Sequence, residues 1–230
     1  MKHAYRLVVF DMAGTTIDED NLVYKTLRNA LERAGLQVPL ATVLDLGAGK
    51  EKRQAIHDII EAVADRQDAA DMTATAFEDF RTLLATAYDA FPVKPMPGAE
   101  AVFRTLQAAG IRVVLNTGYD RPTADKLLRK LGWETHPHID LTVTASDVER
   151  SRPFPDMILL AMERLGVDDP TTVVKVGDAA IDVEEGHQAG CGLSCGVTTG
   201  AQTAEQLSKA RPHHILGHLG ALPVLLGIPS

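Results

Sequence analysis

Residues 7–18 read LVVFDMAGTTID, and this stretch decides the fold. Four apolar residues lead to Asp11, and a turn marked by Gly14 follows. Such a run is typical of a buried strand. In open α/β sheets, ligands bind beyond the carboxyl ends of the strands. The pattern therefore predicts a strand that presents Asp11 at the ligand-binding edge of a sheet, in position to act as a nucleophile.

Further apolar runs read as strands of the same sheet, and helical patterns separate them. The predicted strands are residues 111–115, 141–145 and 173–176, with 192–197 as a candidate fifth strand. The predicted helices are residues 99–109, 121–131 and 155–165, with closing helical segments at 204–210 and 216–226. Strands that alternate with helices build a doubly wound sheet. The expected fold class is therefore α/β, with a Rossmann-like parallel sheet.

The interval 19–94 has a different pattern, with helical periodicity and no convincing strand. The helical patterns cover residues 22–34, 52–64 and 74–91. Three prolines, Pro92, Pro95 and Pro97, then mark the return to the α/β part. We expect a helical cap inserted after the first strand, with residues 19–94 as the cap and residues 1–18 and 95–230 as the core.

Composition narrows the class of protein. A chain of 230 residues with 45% hydrophobic residues can bury a full core. The net charge of −8 argues against a nucleic-acid partner. The apolar run before Asp11 is too short for a signal peptide or a membrane span. We therefore expect a cytoplasmic protein without a membrane partner, in which Cys191 and Cys195 are buried free thiols.

Two later motifs carry phosphate-binding chemistry. Thr117 and Gly118 follow the strand at 111–115, and a hydroxyl with free backbone N–H groups at the start of a helix makes a cradle for phosphate. Arg152 lies just before a helix, and its planar guanidinium can neutralise a nucleophilic carboxylate and phosphoryl oxygens. The plainer alternatives are an ordinary turn and a solvated arginine.

The stretch 176–182 reads VGDAAID and predicts a metal site. A buried strand here ends in two carboxylates, Asp178 and Asp182, four residues apart. Together with Asp11 they form a set of hard oxygen ligands of the kind that Mg²⁺ prefers. The alternative is a pair of acids at a helix N-terminus.

These four motifs, in this order at strand ends, resemble those of the haloacid dehalogenase superfamily across nearly the whole α/β part. The resemblance implies that Asp11 attacks phosphorus and becomes an aspartyl phosphate. It implies that Asp11 and Asp178 bind Mg²⁺ directly, that the backbone carbonyl of Ala13 is a third ligand, and that Asp182 supports them from outside.

Ala13 stands where most members of the superfamily carry a second Asp, the general acid/base. An alkoxide leaving group needs that acid, since proton transfer is worth roughly 10²–10⁴-fold in rate. The phosphonatase branch resembles this chain in its Asp-x-Ala-Gly-Thr motif, in Arg152-Pro-x-Pro and in Tyr119 after the Thr-Gly pair. Its leaving group is carbon. The resemblance implies hydrolysis of the C–P bond of a 2-oxoethylphosphonate, either phosphonoacetaldehyde or a 1-hydroxy relative.

Cleavage of a C–P bond needs a stabilised carbanion, which a lysine Schiff base supplies as an enamine. The loop 45–56 offers Lys50 and Lys52, at the place of the cap's substrate-specificity loop in the family. Lys50 is slightly preferred, because the Gly-Ala-Gly turn would project it from the loop. Both lysines stay candidates, and the alternative is that both are solvated at a helix start.

The chain departs from phosphonatase in three places. Met12 replaces a Trp, residues 19–21 lack a Cys, and the cap His is not evident, with Arg53 or His57 as its replacement according to register. Arg53 is therefore kept as a substrate-binding candidate. Two other functions stay open: a phosphomonoesterase, and a non-catalytic phosphate-ligand sensor. The expected partner is a small phosphonate, and pairing through the cap would make a homodimer, as is common in the family.

Overall fold

The computed structural model describes residues 4–64 and 69–228. Within them, a six-stranded parallel sheet has the strand order β5-β4-β1-β6-β7-β8, and β2 pairs with β3 in an antiparallel ribbon. The strands are β1 Leu7–Asp11, β2 Ile17–Asp18, β3 Lys94–Pro95, β4 Arg112–Thr117, β5 Leu141–Thr144, β6 Val173–Gly177, β7 Leu193–Val197 and β8 His214–Leu216. The predicted α/β fold is confirmed.

Helices cover both faces of the sheet, as a parallel sheet requires. The helices are α1 Leu22–Arg33, α2 Leu40–Gly47, α3 Lys52–Val63, α4 Ala69–Ala90, α5 Ala99–Ala108, α6 Arg121–Leu131, α7 Asp156–Leu165, α8 Ala180–Gln188, α9 Ala204–Ser208 and α10 Leu222–Leu225. Every residue of β1 and β6 is buried, which explains why these strands are uniformly apolar up to their polar ends. In the described part of the chain, no helix has both the length and the apolar character that crossing a membrane requires.

The register of the central strands brings the predicted site residues to one edge of the sheet. Asp11 pairs with Asn116 of β4, and Phe10 pairs with Val176 of β6. The residues that follow β4 and β6 are the Gly118 turn and Asp178, so both lie beside the end of β1. This edge is the carboxyl edge, where the sequence places the ligand.

Helices α1 to α4, here called the cap helices, are inserted between the two strands of the antiparallel ribbon. Three of them match the predicted helical patterns, although α4 begins at Ala69 rather than at residue 74. Helix α2 is absent from the prediction; it has only eight residues. The domain boundaries at 18/19 and 94/95 stay a prediction.

The C-terminal prediction is partly wrong. The candidate strand at 192–197 is present as β7, and most of the helical segment expected at 216–226 is present as a 3₁₀ turn at Leu219–Ala221 followed by α10, but residues 214–216 form a strand, β8, that the sequence did not predict. Strand β8 lies at the edge of the sheet and pairs only with β7. With three residues, of which His214 and Ile215 are exposed, it is too short to show a strand pattern in the sequence.

The two cysteines are free and buried, as predicted. Burial raises the pKa of Cys191 and of Cys195 to about 12. Thiols of such high pKa stay protonated at neutral pH and are poor nucleophiles.

Candidate active site

Asp11 is the last residue of β1, and a tight turn holds it in place. The backbone carbonyl of Asp11 accepts a hydrogen bond of 2.9 Å from the Thr16 hydroxyl. Gly14 has a φ of +84°, and a Cβ there would lie 2.3 Å from Oδ2 of Asp178. Glycine is therefore required twice over, by its backbone conformation and by the approach of the neighbouring carboxylate.

Three buried carboxylates face one another beyond the sheet edge. Asp11, Asp178 and Asp182 each offer an oxygen, and these oxygens lie within 4.8 Å of one another. Burial raises the pKa of Asp11, and repulsion by Asp182 adds to the rise. Burial also raises the pKa of Asp178 well above its usual range, with repulsion by Asp11 and Asp182 contributing. A divalent cation would relieve this repulsion, and the oxygen donor set fits Mg²⁺.

Arg152 connects the nucleophile to the floor of the site. Its Nη1 donates to Oδ1 of Asp11 at 2.8 Å, and its Nη2 donates to Oδ1 of Asn116 at 2.7 Å. Its Nε donates to Oε2 of Glu185 at 3.0 Å. The side chain of Arg152 is fully buried. The predicted contact between Arg152 and the nucleophile is therefore present, and the solvated alternative is wrong.

Lys175 and Glu185 complete this floor, and the sequence analysis assigned no role to either. Nζ of Lys175 lies 2.9 Å from Asp182 and 3.1 Å from Glu185, and all three side chains are fully buried. Asp11, Asp178, Asp182 and Glu185 are four carboxylates, whereas Arg152 and Lys175 are two cations. This imbalance is a second reason to expect a divalent cation. A lysine inside an otherwise apolar strand was the sequence signal that marked Lys175.

The turn after β4 lies directly under the loop that precedes α3. Thr117 is buried, and its hydroxyl accepts the backbone N–H of Tyr119 at 3.2 Å. A Cβ on Gly118 would lie 2.7 Å from the carbonyl oxygen of Lys50. The backbone of the cap loop therefore touches the predicted phosphate cradle, and Gly118 is what permits the approach.

The two candidate lysines have opposite environments. Lys52 is buried, and its Nζ donates to the carbonyl oxygen of Lys50 at 2.5 Å. This Nζ lies 5.4 Å from the ring centres of both Tyr24 and Tyr119. Burial lowers the pKa of Lys52 to about 8. Nζ of Lys50 instead forms an ion pair with Asp58, and both residues line a neighbouring cleft together with Ser151 and Arg152.

One pocket contains most of the predicted site residues. It is lined by Asp11, Ala13, Tyr24, Gly49, Lys52, Thr117, Gly118, Tyr119 and Arg152. Lys50 and Arg53 are not among the lining residues, and the Arg53 guanidinium lies 5.8 Å from the ring centre of Phe77. His57 contacts Thr73 and Glu61, also away from the pocket. Neither candidate replacement for the cap histidine reaches the site.

Known protein families and structures match this chain. A family model of haloacid dehalogenase-like hydrolases matches residues 5–190. The chain belongs to this family. Among the curated members of the wider group, it is 31% identical over 209 residues to a phosphonoacetaldehyde hydrolase of Lactiplantibacillus plantarum, covering 85% of this chain and 77% of that protein. It is also 31% identical over 239 residues to the probable phosphatase IndB of Dickeya dadantii, covering 97% and 96% of the two chains.

Solved structures of other proteins share the fold of this haloacid dehalogenase-like hydrolase. A phosphonoacetaldehyde hydrolase-like protein of Oleispira antarctica matches it with a TM-score of 0.80 at 23% identity, over 98% of this chain and 92% of that one. A predicted phosphoglycolate phosphatase of Haemophilus somnus matches with a TM-score of 0.78 at 17% identity, over 96% and 98%. At these identities the similarity shows the fold alone. The chain is therefore a hydrolase with a capped α/β fold, and its substrate has to be argued from the pocket.

Proposed function

We propose that this hydrolase cleaves the C–P bond of a 2-oxoethylphosphonate, with Lys52 forming a Schiff base and Asp11 accepting the phosphoryl group. One observation carries the proposal: a buried lysine amine lines the same small pocket as the aspartate at the end of β1. A phosphomonoesterase has no need for a desolvated amine there. A substrate that carries both a phosphoryl group and a carbonyl group would use both residues.

The chemistry follows from the two side chains. The lowered pKa of Lys52, about 8, gives a usable fraction of neutral amine near pH 7. That amine condenses with the aldehyde, water leaves, and the imine nitrogen takes up a proton from solvent to give an iminium whose C=N pair can return to nitrogen. A carboxylate oxygen of Asp11 then attacks phosphorus, and the electron pair of the C–P bond becomes the double bond of an enamine on Lys52. Because carbon leaves, no acid is needed at position 13, which explains Ala13.

The other pocket residues bind and orient the phosphonate. Arg152 already holds Oδ1 of Asp11 and directs it towards the pocket. Its positive charge offsets the negative charge of the phosphoryl oxygens. Thr117 and Gly118 supply a hydroxyl and backbone groups to the same oxygens. When bound by Asp11, Asp178 and the carbonyl of Ala13, Mg²⁺ supplies charge neutralisation for the transferring phosphoryl group.

The geometry favours Lys52 over Lys50, the reverse of the preference drawn from the loop sequence. The Gly-Ala-Gly turn does project Lys50 from the loop, but towards Asp58 rather than into the pocket. Lys52 is the first residue of α3, and the helix start points its side chain inward. The pairing of two copies through the cap helices stays a prediction.

The proposal is tested by trapping the imine. Purified protein is incubated with phosphonoacetaldehyde and Mg²⁺, reduced with borohydride, and measured by intact mass and peptide mapping. We expect one reduced adduct per chain, on the peptide that contains Lys52. Phosphate release without any trapped lysine would rule out the Schiff-base mechanism for this protein.

A phosphomonoesterase is the second candidate, supported by the 31% identity to a probable phosphatase across nearly the whole chain. The two functions differ in their need for an acid at position 13. If the protein cleaves a C–P bond, Ala13→Asp should give no faster phosphonate cleavage and at most a weak new activity on p-nitrophenyl phosphate. Faster wild-type turnover of sugar phosphates than of any phosphonoaldehyde would favour the phosphatase. If neither an adduct nor phosphate appears, the result favours the non-catalytic phosphate-ligand sensor.

A further inference from the structure

The part of the pocket lining that comes from the cap, Tyr24, Gly49 and Lys52, is here called the cap wall. A buried carboxyl group lies behind this wall, and none of the sequence motifs accounts for it. Glu19 follows β2 and is 2% exposed. Its Oε2 accepts the backbone N–H of Val23 at 2.8 Å and the hydroxyl of Tyr88 at 2.9 Å. Glutamate is almost never fully buried unless it is paired, and no cation lies within ion-pair distance of Glu19 among the described residues.

Two tyrosines connect Glu19 to the pocket. The hydroxyl of Tyr88, on α4, lies 2.8 Å from the hydroxyl of Tyr119. Tyr119 follows the phosphate cradle and lines the pocket together with Lys52. A continuous chain of hydrogen bonds therefore runs from a buried carboxyl group, through two buried hydroxyls, to the wall on which Lys52 lies.

The direction of such a chain depends on the protonation of the carboxyl group. When Glu19 is ionised, Tyr88 donates to it and Tyr119 donates to Tyr88, so Tyr119 offers only lone pairs to the pocket. When Glu19 is protonated, every bond in the chain can reverse, and Tyr119 then offers its O–H to the pocket. The chain can thus deliver a proton to the pocket or remove one from it.

The proposed reaction needs such a proton after the C–P bond has broken. The enamine on Lys52 must gain a proton at carbon before water can hydrolyse it. The usual acid is missing at Ala13, and the cap residues Arg53 and His57 face away from the pocket. At this stage Asp11 carries the phosphoryl group. Among the described pocket residues, Tyr119 has a hydroxyl chain that ends at a buried carboxyl group.

We propose that Glu19, acting through Tyr88 and Tyr119, is the proton reservoir for the enamine on Lys52; this inference rests on the proposed function. The Tyr119 O–H gives its proton to the enamine carbon, the C=C pair forms the new C–H bond, and the nitrogen lone pair forms the iminium. Tyr88 reprotonates Tyr119, and Glu19 reprotonates Tyr88. When water adds to the iminium and the aldehyde leaves, the proton released returns along the chain to Glu19, and Lys52 is again a neutral amine.

The charge environment suits a group that cycles near neutral pH. Burial raises the pKa of Glu19 to about 7, against lowering contributions from Val23 and Tyr88. The charged and titratable groups that face it are Lys52, Lys25, Tyr24, Tyr88 and Tyr119. Burial also raises the pKa of each of these tyrosines well above its usual range, so they stay neutral and pass protons rather than hold charge.

The test separates phosphate formation from aldehyde release in Glu19→Gln and Tyr88→Phe, with both products followed continuously under single-turnover and steady-state conditions. Each variant breaks the chain and leaves Asp11 and Lys52 in place. We expect about one phosphate per site to form in a burst, and steady-state aldehyde release to slow by about tenfold or more, since general acid catalysis is worth roughly 10²–10⁴-fold and water replaces it in part. The matched control is Glu78→Gln, an exposed glutamate on α4.

A pH profile supplies a readout that a purely structural role would not move. Wild-type kcat should fall as pH rises through the pKa of Glu19, because Glu19 is then deprotonated and has no proton to supply. Glu19→Gln should not show this fall in kcat at high pH. Thermal unfolding checks that both variants are folded. If both release aldehyde at the wild-type rate while borohydride still traps the lysine, the relay is wrong and the proposed function stands. If borohydride traps no lysine in the wild type, both the relay and the proposed function are wrong.

Discussion

The two walls of the pocket are built in opposite ways. The core wall is a charged floor, in which Arg152 and Lys175 bridge Asp11, Asp182 and Glu185 over distances of 2.8–3.1 Å. The cap wall has one cation, Lys52, set between the rings of Tyr24 and Tyr119 and without a carboxylate partner among the described residues. The floor keeps its charges paired, whereas the cap leaves an amine desolvated and reactive. The difference suggests that the floor performs phosphoryl transfer and the cap selects the bond that breaks.

Removing the nucleophile from the floor should have the largest effect. Asp11→Asn keeps the side-chain shape and an oxygen that can accept from Arg152, but it removes the attacking carboxylate and a metal charge. We expect phosphate release to fall by about 10⁴-fold or more, on whatever substrate is turned over. Steady-state assays measure this loss, and unchanged thermal unfolding shows that the fold is intact. Retention of more than a few per cent of activity would remove Asp11 from its role.

On the cap wall, Lys→Arg substitutions should separate the two lysines. Lys52→Arg keeps a positive charge, but a guanidinium stays protonated and does not condense with an aldehyde, so phosphonate turnover should be lost. Lys50→Arg is the matched control and keeps its ion pair with Asp58, so turnover should be retained. The measurement is phosphate release together with borohydride labelling. The reverse result, loss with Lys50→Arg alone, would restore the preference drawn from the sequence.

The same contrast explains what the sequence could predict. Arg152 lies in the loop between β5 and α7, but Asp11 and Asp178 come at the ends of the neighbouring strands β1 and β6, and parallel strands bring their carboxyl ends to one edge whatever the loops do. Their grouping was therefore predictable from order alone. The choice between Lys50 and Lys52 was not, because Lys50 lies in the loop and Lys52 is the first residue of α3, and the order of motifs does not determine the loop conformation that directs each side chain.

Two other site residues, Glu19 and Lys175, were not predicted from the sequence, for the same physical reason. Glu19 lies directly after β2 and shows no motif, and its partner Tyr88 is 69 residues away in the chain. Only the packing of α4 against the start of the cap brings the two together. Lys175 was visible as a charge in an apolar strand, but its partner Glu185 is on the following helix, and helix phase decides the contact.

A smaller effect, on stability, should test how the cap wall holds its buried acid. The pKa of Glu19 is raised from 4.5 to about 7 in the folded protein, so the fold favours the protonated form. Stability from this group is therefore fully present below pH 4.5 and is lost as pH rises towards 7. The side chain at position 19 does not titrate in Glu19→Gln. The unfolding free energy of this variant minus that of the wild type should therefore increase from pH 5 to pH 8, by at most about 3 kcal/mol at 1.36 kcal/mol per pKa unit. Denaturant unfolding of wild type, Glu19→Gln and the exposed control Glu78→Gln at both pH values measures the gain; parallel pH dependence in all three would contradict the buried acid.

The smallest effect is expected where the two walls meet. A Cβ on Gly118 would lie 2.7 Å from the carbonyl oxygen of Lys50 and 2.9 Å from that of Gly49, closer than real Cβ atoms approach other atoms, so Gly118→Ala must displace the cap loop. Lys52 follows that loop and moves with it relative to Asp11. Since a displacement of 1 Å can cost about 10²-fold, we expect kcat/KM for the phosphonate to fall by about tenfold. Gly217→Ala is the matched control, because no atom lies within 4 Å of its added Cβ. If Gly118→Ala slows imine trapping and leaves phosphoryl transfer to Asp11 from a simple acyl phosphate unchanged, the cap wall and the floor act as separable parts; equal losses in both would show that the contact at Gly118 shapes the floor as well.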